Sequence, residues 1–96
     1  MLTKQYFVYI LASQQNGTLY VGVTNNMPRR IYEHQRDMAD GFTKKYGVKT
    51  LVWFEVCEEI EFAIMREKQI KKWNRHWKLK LIEKNNPTWK DLSNAL

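Results

Sequence analysis

Two aromatic and β-branched runs, residues 6–11 and 18–23, flank the segment Ser13-Gln14-Gln15-Asn16-Gly17, and this arrangement limits the fold most. Runs of that composition form strands, and an Asn-Gly pair supplies the backbone freedom that a tight turn needs. The two strands are expected as a hairpin with a loop of about four to five residues. If Leu11 pairs with Thr18, Tyr9 lies directly opposite Tyr20, because cross-strand partners keep a constant index sum. Gly22 falls on the same face, and a glycine inside a strand often marks a close backbone approach.

The rest of the chain adds one strand and three helices. Thr24-Asn25-Asn26 offers helix caps and Pro28 suits a first turn, which predicts a helix over 27–38 ended by Asp40-Gly41. Residues 41–50 are expected as a basic loop, 51–57 as a third strand, and 59–73 and 75–84 as two further helices. In the last helix Trp77, Leu81 and Lys84 recur at spacings of three to four. Pro87 stops that helix, and Trp89 and Leu92 are expected to pack back onto the body. The order β-β-α-β-α-α predicts one α/β domain of the α+β type over 1–96, a three-stranded, mainly antiparallel sheet flanked by helices. A chain of this length supports only a modest core, for which four Trp, five Tyr and four Phe supply large buried areas.

Glu67 breaks the pattern. Ile60, Ala63, Ile64 and Ile70 share one face of the 59–73 helix, and Glu67 falls in the middle of that face. An inward carboxylate is costly unless a cation meets it, so Glu67 implies a metal site or an ion pair. The chain carries a net charge of +6, with seven Lys or Arg between Arg66 and Lys80 and a second group at Arg29, Arg30, Arg36, Lys44, Lys45 and Lys49. Clustered positive charge suits a polyanion, most often nucleic acid, and equally a solvated surface. Arg30 and His34, four apart, project from one side of the 27–38 helix with Ile31 and Met38 beside them. The simplest role for Arg30 is an ion pair with Glu67 or Glu33, and for His34 that of a satisfied, partly buried histidine. Cys57, the one cysteine, lies in an apolar strand and is expected buried and inert, which fits a reducing cytoplasm. No stretch is long or apolar enough to span a membrane, and Met1-Leu2-Thr3-Lys4 lacks a signal-peptide layout.

Val8-Tyr9-Ile10 and Tyr20-Val21-Gly22, followed in order by Arg30, His34 and Glu67, resemble the two halves and later residues of the GIY-YIG nuclease motif. The stretches Leu19-Tyr20-Val21-Gly22-Val23-Thr24-Asn25, Gly41-Phe42-Thr43-Lys44-Lys45-Tyr46 and Arg66-Glu67-Lys68-Gln69-Ile70-Lys71-Lys72-Trp73 are similar to the small stand-alone bacterial members, which are likened to the N-terminal domain of the repair excinuclease. Val8 stands for the family's glycine and Val21 for its isoleucine, and Val23 occupies a position that is lysine in that excinuclease. Asn86, before Pro87, matches the family's active-site asparagine best, with Asn74 and Asn85 as alternatives.

The resemblance implies a metal-dependent endonuclease hydrolysing DNA phosphodiesters, in repair or recombination. Glu67 would be the single protein ligand to Mg²⁺ or Mn²⁺, and Arg30 would hold the scissile phosphate. Tyr9, Tyr20 or His34 would position or deprotonate the attacking water, and Asn86 would complete the site. Lys44, Lys45, Lys68, Lys71, Lys72 and Arg75 are expected on flanking phosphates, with specificity from a homodimer or a protein partner. Two other expectations compete: a nucleic-acid-binding module that keeps the fold without catalysis, and a basic protein-interaction domain.

Overall fold

The computed structural model describes residues 4–38 and 41–96. Strands β1 (Tyr6–Ala12) and β2 (Leu19–Thr24) form the hairpin, followed by helix α1 (Met27–Gln35), a short helix α2 (Gly41–Tyr46), strand β3 (Thr50–Cys57), helices α3 (Ile60–Lys72) and α4 (Arg75–Asn85), and a 3₁₀ turn (Leu92–Ala95). The sheet order is β2-β1-β3 and both pairings are antiparallel. The central strand is covered on both faces. Tyr9 and Leu11 join Met27 and Ile31 of α1, together with Val48 and Leu51. Val8, Ile10 and Ala12 join Ala63 and Ile70 of α3, Ile82 of α4 and Trp89. The α+β architecture expected from the sequence is present, with α2 as an addition.

The hairpin register differs from the expected one. Tyr9 pairs with Gly22 and Leu11 with Tyr20. The turn is the reason: Ser13 N donates to Thr18 O at 3.0 Å and Thr18 N to Ser13 Oγ at 2.9 Å, so Ser13 rather than Leu11 is paired with Thr18. A shift of two residues keeps every side chain on its face, so the two tyrosines still share one face, now diagonally.

Helix α1 stops at Gln35, short of the expected residue 38, because Asp37 turns left-handed at φ 57°. Met38 is 65% exposed and takes no part in an inward edge. Asp40, half of the expected stop signal, lies outside the described residues, as do Met1, Leu2 and Thr3. The expected basic loop instead winds into α2, which Gly47 at φ 64° terminates as Val48 N bonds back to Thr43 O.

One helix face also differs. The buried stripe of α3 is Ala63, Glu67 and Ile70, whereas Ile60 and Ile64 remain exposed. In α4 only Ile82 is fully inside and Trp77 faces solvent, its backbone N–H held by the capping side chain of Asn74. Trp89 and Leu92 do pack back onto the two clusters.

A bulge in β3 sets the last connection. Ile10 pairs with Trp53 and Leu11 with Leu51, leaving Val52 as the extra residue. The side chain of Asn86 donates to Val52 O at 3.0 Å and to Lys90 O at 2.9 Å, and accepts from Lys90 N at 3.0 Å. Cys57 is buried, and burial first, then Glu55, pushes its thiol pKa up, in keeping with an inert role. Among the described residues no helix is long and apolar enough to cross a membrane.

Candidate active site

The hydroxyl of Tyr9 is the hub. Tyr9 leaves the central strand toward α1 and is fully buried. Asn26 starts α1 by accepting from Arg29 N at 3.2 Å, which fixes the helix so that its i, i+4 pair faces the strand. Arg30 Nε donates to Tyr9 Oη at 3.3 Å, and His34 Nε2 lies 3.3 Å from the same oxygen. The opposite strand makes room: a Cβ built on Gly22 would stand 2.5 Å from that hydroxyl oxygen. The glycine thus marks the close approach its place in the strand suggested.

Both partners of Tyr9 are themselves held. Arg30 Nη1 donates to Glu33 Oε1 at 3.2 Å, and Arg29 Nε lies 3.5 Å from the other Glu33 oxygen. The carboxylate partner of Arg30 is therefore Glu33 and not Glu67. Burial works against the Arg30 charge, but bonding to Tyr9, Glu33 and Tyr20 outweighs it and raises the guanidinium pKa further, so this group stays cationic at any working pH. His34 is 1% exposed, with Nδ1 3.2 Å from Thr43 Oγ1 of α2. That contact fixes the ring so that Nε2 meets the phenol. Tyr20 closes the wall, its ring centroid 5.5 Å from His34, 6.3 Å from Tyr9 and 6.2 Å from Phe42.

Glu67 belongs to the other layer. It sits in the sheet-facing stripe of α3, its side chain only 11% exposed, and Lys71 Nζ meets Oε1 at 2.6 Å. The layers come together at the end of β2, where a groove of about 730 Å³ is lined by Val23 and Thr24, by Arg29, Arg30 and Glu33 of α1 and by Ile60 and Ile64 of α3. Glu67 lies one helical turn beyond Ile64. Lys71 is half exposed, and an ion pair of that kind is worth about 1 kcal/mol or less, a weak hold on a largely buried carboxylate. Among the described residues no group of three or more His, Cys, Asp or Glu could cage a metal. This donor set suits a hard cation that keeps several waters, as Mg²⁺ does, and not one needing a full protein shell.

The other expected site residues divide. Lys44, Lys45, Lys68 and Lys72 are exposed. Lys71 is engaged with Glu67, and Arg75 Nη2 donates to Asn16 O at 2.7 Å and Gly17 O at 2.6 Å in the hairpin turn. Asn86 is joined by hydrogen bonds to the β3 bulge and the tail and to none of Tyr9, Arg30 and His34. Asn74 caps α4. Sequence reasoning missed Thr43, which supports His34. The only signal was its place in Gly41-Phe42-Thr43-Lys44-Lys45-Tyr46, a stretch read as loop.

The GIY-YIG catalytic domain family matches residues 5–80. A UPF0213 protein of Clostridium perfringens is 41% identical over 79% of this chain and 81% of its own length. One of Syntrophus aciditrophicus is 38% identical over 88% and 95%. The solution structure of a UPF0213 protein from Bacillus halodurans superposes with a TM-score of 0.57 at 26% identity, covering 91% of this chain and 92% of that one. The Tyr9 and Tyr20 half-motifs, Arg30, His34 and Glu67 all fall inside the matched span, and the chain belongs to the GIY-YIG family, among its small UPF0213 proteins.

Proposed function

We propose that this protein is a metal-dependent endonuclease that hydrolyses phosphodiester bonds of DNA, acting in repair or recombination in the cytoplasm. One observation carries the reading: a buried phenol oxygen bonded to both Arg30 Nε and His34 Nε2. A free phenol has a pKa near 10 and is a poor base at neutral pH. A permanent cation beside it favours the phenolate, and an imidazole in contact can take or return the proton. Tyr9 and His34 thus form a relay that activates a water. Tyr20, diagonal to Tyr9, lines the approach.

Arg30 has five N–H donors, and its bonds to Tyr9, Glu33 and Tyr20 leave donors for a phosphate. Glu67 would hold a single Mg²⁺ or Mn²⁺, which when bound would neutralise charge developing on that phosphate. Lys71 would then be released from the carboxylate to a phosphate of the strand. Specificity would come from a second copy or a protein partner.

A second reading, a module that binds nucleic acid without cutting it, is favoured by the Lys71–Glu67 contact, which gives the carboxylate a cationic partner other than a metal. Labelled duplex, branched and single-stranded DNA incubated with Mg²⁺ or Mn²⁺ separates the two. The nuclease reading expects cleavage that falls about 100- to 1,000-fold in Arg30→Ala and Tyr9→Phe and to background in Glu67→Ala. If no substrate is cut, or the variants cut equally well, the catalytic reading fails. Salt-dependent binding without cleavage would establish the module.

A further inference from the structure

The corner between α3 and α4 carries an aromatic group that this chemistry does not use. Trp77, in the first turn of α4, is 55% exposed, whereas Trp53 and Trp89 are 5% and 6% exposed. Leaving much of an indole in water forgoes a large hydrophobic gain, so a partner for that face would recover it. The neighbouring rings do not serve. Trp73 lies 6.5 Å away at an interplanar angle of 50°, and His76 6.5 Å away at 71°. Neither ring lies parallel to that of Trp77. Trp73 is already occupied: the Arg66 guanidinium sits 5.4 Å over its ring, held in place by Glu55 and Gln69.

We propose that Trp77 is a stacking platform for an unpaired base, so that the substrate carries a single-stranded segment beside the cleaved phosphate. A flat aromatic face among cations is how single strands are held without sequence preference. Inside a duplex the faces of a base are covered by its neighbours, so an internal pair cannot offer this contact. Lys78 follows Trp77 directly in sequence, and the exposed Lys72 and Lys80 flank the same stretch. The position fits as well. Trp73 follows Glu67 along α3 by about 9 Å at 1.5 Å per residue. Arg75 bonds the corner to the carbonyls of Asn16 and Gly17, in the turn that leads directly into Leu19 and Tyr20. The platform and the groups around Tyr20 and Glu67 are thus tied to the same hairpin. The inference rests on the nucleic-acid reading of the site and not on its catalysis.

The test is equilibrium binding in EDTA, with a short labelled oligothymidylate and a blunt duplex of the same length. Trp77→Ala is expected to weaken binding to the oligothymidylate about 5- to 150-fold. It should leave duplex binding within about twofold, as surface substitutions generally do. Trp77→Phe, which keeps a stacking ring, should recover most of the loss. Unchanged oligothymidylate binding in Trp77→Ala overturns the proposal and leaves the ring for a protein contact, and an equal loss on both DNAs overturns it as well. Because no metal is present, the outcome is independent of cleavage. A protein that discriminates in this way and cuts nothing would sink the nuclease reading and leave the platform standing; one that cuts DNA but does not discriminate would do the reverse.

Discussion

Gly22 decides whether the Tyr9 hydroxyl can reach Arg30 and His34 at all. A methyl group there would stand 2.5 Å from the phenol oxygen and 2.6 Å from the carbon that bears it. Tyr9 is fully buried and bonded on its far side, so the ring has nowhere to swing. Gly22→Ala is therefore expected to cost about 1–3 kcal/mol by overpacking, seen as a lower Tm, and to reduce cleavage at least as much as Tyr9→Phe does. Wild-type Tm and activity in Gly22→Ala would contradict this account of the site. Most of the candidate group around Tyr9 was legible from residues alone. Arg30 and His34 stand four apart, and a glycine interrupts the strand that faces Tyr9. The cross-strand partner of Tyr9 was not legible, because register depends on how Ser13 and Thr18 close the turn. Neither was Thr43, whose contact with His34 is made across two elements and leaves no periodic trace.

At the level of elements, the least legible feature is the bulge at Val52, an irregularity in an otherwise regular apolar run. It leaves a buried carbonyl without a ladder partner, and Asn86, at the far end of α4, supplies one while also pinning the tail through Lys90. Removing that amide strands buried polar groups at about 1–3 kcal/mol each. Asn86→Ala is thus expected to lower Tm by on the order of 10 °C. Cleavage, measured well below the new midpoint, should change far less than in Arg30→Ala. A variant that keeps its Tm but loses cleavage would instead make Asn86 part of the chemistry. The strands and three longer helices could be read because composition and a cap such as Asn26 act locally. The inward faces of α3 and α4 could not. Ile60, Ile64 and Trp77 obey helical spacing, yet all three are exposed. Glu67 was recognisable as an inward acid even so, since it lies between Ala63 and Ile70.

On the scale of the whole molecule, the candidate site draws on both layers, and so does the charge around it. On one side α2 presents Lys44 and Lys45 next to Phe42, whose ring lies against Tyr20. On the other, α3 presents Lys68 and Lys72 next to Glu67 and its partner Lys71. A strand lying over the edge of β2 to meet both Arg30 and Glu67 would pass between these two pairs. Each lysine that neutralises a phosphate releases counterions, contributing about 0.7 to 0.9 to the slope of log K against log salt concentration. Lys44→Ala with Lys45→Ala, and separately Lys68→Ala with Lys72→Ala, should each lower that slope by about 1–2, equally on unrelated sequences. Arg75→Ala should leave the slope nearly unchanged and loosen the hairpin turn instead, because its guanidinium is engaged with Asn16 and Gly17. If only one of the two pairs alters the slope, DNA runs along a single layer, and the shared groove does not mark its path.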